Sequence, residues 1–158
     1  MAILKKTILK DLFGRLTQTV TAYAGDKALM LAAVSAAANV IVADGEVAGA
    51  EFEAALAGLK ADPILGKGYD TLMLEAELYE GIARARTRAG RAENLRHAAA
   101  LADRPKEQRE NVFLIAADVA DHDGISGIEA VALDEIAAAL KLDRDALLGA
   151  SPVRRPAP

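Results

Sequence analysis

Apolar and polar residues alternate along this chain with the period of an α-helix almost from end to end. Leu4, Ile8, Leu12, Phe13, Leu16 and Val20 recur at three- and four-residue spacing, which predicts a helix over residues 3–23. Gly25-Asp26 breaks the pattern. The run over 27–43 is apolar nearly all round, which predicts a central helix. Asp44-Gly45 ends that run, and glycine suits the left-handed turn at a helix C-terminus. A third helix is predicted over 50–60, stopped by Asp62-Pro63, and residues 64–68 read as a Gly-rich loop.

Residues 69–88 read as a further helix with Leu72, Leu74, Leu78 and Ile82 as its apolar positions. Another covers 89–101. Asp103-Arg104-Pro105 opens the next, with Pro105 early in the helix, where a missing N–H costs nothing. That helix carries Val112, Phe113, Ile115, Ala116, Val119 and Ala120. Two more are expected, over 127–140 and, shorter, over 143–148. No segment keeps the two-residue alternation of a strand. The expected fold is all-α: a compact bundle of about seven or eight helices in one domain over residues 1–148, with a Pro- and Arg-containing tail over 149–158.

The pattern also repeats. Val42-Ala43-Asp44-Gly45-Glu46-Val47 is followed by Glu51, and Val119-Ala120-Asp121-His122-Asp123-Gly124-Ile125 is followed by Glu129. Each time an apolar helix stops at Asp-Gly, and a glutamate lies six or seven residues beyond the aspartate. The repeat predicts two pseudo-symmetric helix–turn–helix halves, each with an acidic turn. If the turns meet, Asp44, Glu51, Asp123 and Glu129 form a set of hard oxygen donors suited to Ca²⁺, Mg²⁺ or Mn²⁺. Asp121, His122 and Glu46 are further candidate donors, and a contribution from His122 would shift the preference toward Zn²⁺ or Mn²⁺. Helix punctuation explains the same residues. Asp-Gly is a turn dipeptide, and Ser126-Gly127-Ile128-Glu129 spells a capping box that accounts for Glu129 without a metal. The first repeat has Ala48 where that cap would be, so Glu51 lacks this explanation. The residues leave both readings open.

Neither turn is an EF-hand. With Gly45 as the loop glycine, Val40 and Val42 stand where the first two oxygen ligands belong. With Gly124 there, Ala130 takes the bidentate position. Catalysis has little support: the histidines are His97 and His122, and no carboxylate orienter or oxyanion feature accompanies His122 and Ser126. Gly66-Lys67-Gly68 is not a phosphate loop. Arg84, Arg88 and Arg91 read as one basic face beside Arg86 and Arg96. Such a run is usually a solvated face, although an anionic partner would also fit it.

Composition narrows these readings. The 158 residues include no cysteine, which removes disulfides and thiolate chemistry. A net charge of −4 disfavours a nucleic-acid partner. The N-terminus lacks the apolar core of a secretory signal, since Asp11 and Arg15 interrupt it. The longest apolar run includes Ser35 and Asn39 and is short of the ~20 residues of a membrane span. The N-terminal stripe is expected to dock on the bundle, with no direct membrane insertion.

Several stretches together resemble the TerB family of tellurite-resistance proteins and the related TerB-like domains of membrane-linked co-chaperones. They are Leu16-Thr17-Gln18 before Tyr23, Val42-Ala43-Asp44-Gly45, Ala100-Leu101-Ala102-Asp103-Arg104-Pro105, Val119-Ala120-Asp121-His122-Asp123-Gly124, Glu135-Ile136-Ala137 and Leu140-Lys141-Leu142-Asp143. The resemblance spans roughly residues 12–148. It implies a helical fold of two related halves with a divalent metal at the acidic turns, ligated by Asp44, Glu51, Asp123 and Glu129. It also implies a cytoplasmic, non-enzymatic role in stress resistance, with protein partners in a membrane-associated complex at the inner membrane. A helical protein–protein interaction module without a metal is the alternative.

Overall fold

A computed structural model describes residues 26–121 and 125–150. The predicted helix over 3–23, its expected docking, the residues after 150, and both His122 and Asp123 lie outside the described residues. Among those described, eight helices and no strand are formed: α1 (Lys27–Ile41), α2 (Gly49–Ala61), α3 (Pro63–Gly68), α4 (Thr71–Ala85), α5 (Arg88–Ala99), α6 (Lys106–Ala120), α7 (Gly127–Ala139) and α8 (Arg144–Ala150). The all-α bundle expected from the periodicity is present.

Helix α1 is the hub. It packs most extensively on α4, α5 and α6, and also touches α2 and α7. Every residue from Leu29 to Ile41 except Leu31 is buried. Its alanines allow that enclosure, because small side chains let neighbouring helices approach on all sides. Asp26 fixes the start of α1 in two ways. Its side chain accepts from the Leu29 N–H, and its two oxygens receive the Arg104 guanidinium at 2.9 Å each. Paired charge-assisted bonds of this type are stronger than neutral ones. They tie the start of α1 to the loop before α6.

The helices of both repeated pairs are formed, α1 with α2 and α6 with α7, and α6 packs on both α1 and α2. Phe113, Leu133, Ile136 and Leu140 complete the core from the second pair.

Three expectations need correction. Residues 64–68 are helical: the Asp62 side chain accepts from the Ile64 and Leu65 N–H groups, Pro63 occupies the first turn, and Leu65 is buried. A capping aspartate and a helix-initiating proline outweigh the two glycines. Leu72 does not face the core; it is 76% exposed, while Leu74, Leu78 and Ile82 are buried. The helical period that aligns 74, 78 and 82 turns position 72 outward. Pro105 differs slightly too: it stands just before α6, at the cap position, and contributes no side-chain cap.

The end of α7 carries an unusual closure. Lys141 has φ +55°, its N–H donates to the Ala138 carbonyl at 3.1 Å, and the Leu142 N–H donates to the Ala137 carbonyl at 2.8 Å. This is a Schellman closure with lysine at the position glycine usually takes. Arg109 from α6 reinforces it, donating to the Leu140 carbonyl at 2.9 Å.

Candidate functional site: the first acidic turn and the cleft beside it

The first turn closes on Gly45, at φ +85°, a conformation glycine adopts without a steric penalty. Asp44 is exposed, and its Oδ1 accepts the Glu46 N–H at 3.0 Å. Glu51 lies in the first turn of α2, partly buried, where Ala48 supplies no side-chain cap. In the second repeat the capping box is formed. Glu129 N–H donates to Ser126 Oγ at 3.2 Å, and Ser126 N–H donates to Glu129 Oε1 at 3.1 Å. Glu129 is 7% exposed and thus largely occupied with holding the start of α7.

Among the described residues, no three carboxylate or imidazole side chains gather in a metal-holding group. Asp44, Glu51 and Glu129 therefore do not form a metal site by themselves, and the place of Asp123 relative to them lies outside the described residues. Asp121, a further candidate donor from the sequence, is the acidic residue the structure sets apart. One of its carboxylate oxygens is buried with no hydrogen-bond partner among the described residues. Burial raises its pKa. Asp118, one turn earlier on α6, is raised first by desolvation and then by the nearby Asp121 charge. Asp118 borders a small recess with Asn111, Leu114 and Ile115.

The two repeats do share a feature. A cleft of about 730 Å³ lies between the end of α1, the α4–α5 junction and the outer face of α7. Val42, Ala43, Asp44 and Gly45 of the first turn form one wall, and Ile128, Val131, Ala132 and Glu135 of α7 form the opposite wall. Arg86 and Arg91 close it on the third side, and Asn39 also lines it. Ile128 and Val131 are 58% and 57% exposed.

A polar network that sequence reading missed stands behind this cleft. Asn94 is 1% exposed and joins three helices. Its amide donates to Asn39 Oδ1 at 2.9 Å and to the Gly81 carbonyl at 3.1 Å, and its oxygen accepts from Arg84 Nε at 2.8 Å. Arg84 also donates to Ser35 Oγ at 3.3 Å, and Asn39 donates to the Arg91 carbonyl at 3.2 Å. Arg84 is thus inward and structural, and the expected single basic face does not exist. Arg84 belongs to α4, whereas Arg88 and Arg91 belong to α5. The available signal was Ser35 and Asn39, two polar residues four apart inside an apolar helix. Buried polar groups need partners, and Asn94 and Arg84 provide them.

The fold and cleft define an all-helical bundle with one groove shared by its two repeated units. Comparison with family models, curated proteins and solved structures finds no match to this chain. No described helix is long and apolar enough to cross a membrane.

Proposed function

We propose that the protein is a non-catalytic helical adaptor that acts by binding other proteins, in the stress-resistance setting that a TerB-like chain implies. The observation that carries this reading is the cleft. It joins the two repeats and presents Ile128 and Val131 to solvent, although α7 has already buried Leu133, Ile136 and Ala137 in the core. Apolar side chains left outside a complete core, beside charged residues, have the makeup of an interaction surface. The test is in-cell photo-crosslinking from a reactive amino acid placed at position 131. A discrete heterologous protein adduct is expected. Adducts no more abundant than from a solvent-facing position such as 145 would overturn the reading.

A second reading, a divalent-cation sensor, is favoured by one observation: a buried oxygen of Asp121, at the end of α6, that has no partner among the described residues. Such an oxygen is the kind a cation satisfies. Calorimetric titration of metal-free protein with Ca²⁺, Mg²⁺, Mn²⁺ and Zn²⁺ tests it. Saturable heat from one of these ions supports the sensor reading, and no heat from any of them removes it.

A further inference from the structure

We propose that the cleft holds an amphipathic helix of a partner protein, one that carries a carboxylate beside its apolar face. This inference rests on the adaptor reading and names the chemistry of the partner. The apolar contribution comes from α7. Ile128 and Val131 stand exposed on the cleft wall that runs from Ile128 to Glu135, about 10 Å at the helical rise of ~1.5 Å per residue. That length matches about two turns of a docked helix.

The charged contribution comes from the third side of the cleft. Arg86 and Arg91 form no ion pair with any other described residue. Arg91 is held in place by its own donation to the Ala85 carbonyl at 3.1 Å, and the Asn39 amide holds its backbone carbonyl. Its guanidinium is therefore positioned before any partner arrives, which lowers the ordering cost of binding. Asp44 spends one oxygen on the Glu46 N–H. Glu135 is exposed at the α7 side and is also without a described ion-pair partner. A partner helix with an acidic residue toward Arg86 and Arg91, and a basic one toward Glu135, complements all three. The chain's own residues 1–25 are a poor match for the arginines: Lys5, Lys6, Lys10 and Arg15 stand against Asp11 alone.

The test is selection of phage-displayed helical peptides of about 14 residues, or ~21 Å, on the full chain, followed by fluorescence anisotropy with the enriched peptides. Enriched sequences should place an acidic residue next to an apolar i, i+3, i+7 stripe. Arg86→Glu should weaken binding about fivefold, as for an exposed ion pair worth up to ~1 kcal/mol. Changing the peptide's acidic residue to Lys should restore it. Val131→Asp should weaken binding about tenfold or more by placing a charge against the apolar stripe. Circular dichroism melts confirm that both variants stay folded. Peptides that bind but ignore both substitutions would overturn the cleft assignment and leave the adaptor reading standing. Displacement of the selected peptides by a synthetic 1–25 peptide would assign the cleft to the chain's own N-terminal segment instead, and so overturn the proposal. Failure to enrich any peptide overturns it too; if position 131 also captures no partner in cells, the adaptor reading falls with it.

Discussion

Replacing Asn94 by Ala should cost about 3–4 kcal/mol of folding stability. The estimate follows from what the substitution strands. Arg84 Nε loses the acceptor it reaches at 2.8 Å, and Asn39 Oδ1 loses the donor at 2.9 Å, both inside the junction of α1, α4 and α5. A buried polar group left unpaired costs about 1–3 kcal/mol, and a charged donor lies toward the upper end. The Gly81 carbonyl loses its 3.1 Å contact as well, and a small void replaces the amide. Against a typical total of about 5–15 kcal/mol, such a loss is large but measurable. The assay is urea unfolding at low temperature, with the slope of the transition monitored so that a changed midpoint reports stability alone. Asn39→Ala and the double variant complete a cycle, in which the two sites should couple by about 1–2 kcal/mol because they share one hydrogen bond. A loss below about 1 kcal/mol for Asn94→Ala, with no coupling to Asn39, would refute the claim that this network ties the three helices together.

Three further outcomes are expected. Lys141→Gly should stabilise the protein by about 0.5–1 kcal/mol in urea unfolding, because glycine takes the left-handed conformation without the steric penalty lysine bears; unchanged or lower stability would contradict this. Ser126→Ala should destabilise by about 1 kcal/mol through loss of the capping box, and a neutral result would mean the box contributes nothing at the start of α7. Asp118→Asn should raise the urea midpoint at neutral pH only slightly, because the side chain is exposed and solvent screens its charge. Its folded pKa lies above the unfolded value, so the ionised form opposes folding; that penalty is complete above the folded pKa and disappears below the unfolded value of about 3.9. The advantage of the variant should therefore shrink as pH falls toward 4, and an advantage that grows on acidification would reverse the assigned sign.

The helices were legible in the sequence because periodicity and punctuation agreed for most of them. Asp62-Pro63 and Ser126 to Glu129 each stop or start a helix as their chemistry requires, whereas α1 ends at Ile41, ahead of the turn made by Asp44-Gly45. Residues 64–68 were misjudged because two glycines looked like a loop, while the deciding hydrogen bonds come from Asp62 just before them. The acidic repeat was visible, but its geometry was only partly so: the Glu129 capping box follows from a four-residue spacing, whereas convergence of two turns far apart in the chain depends on how the pairs pack. The cleft and the Asn39–Asn94–Arg84 network were invisible for the same reason. Asn39 and Asn94 are 55 positions apart, and no local pattern reports a contact at that range. Arg84 shows the cost of reading charge locally, since its place in an arginine-rich stretch suggested solvent and its partners put it inside.

The enclosure of α1 also has a consequence for biosynthesis. Its apolar circumference is complete only when α7, ending at Ala139, has joined the helices around it. Ribosomes add roughly 5–20 residues per second, so the hundred or so residues between the end of α1 and the end of α7 correspond to about 5–20 s. During that interval a helix rich in Ala, Leu and Val emerges without its full set of neighbours. The nascent chain passes through a stage in which its most water-averse segment is uncovered, and a holding chaperone should engage it there more than after release.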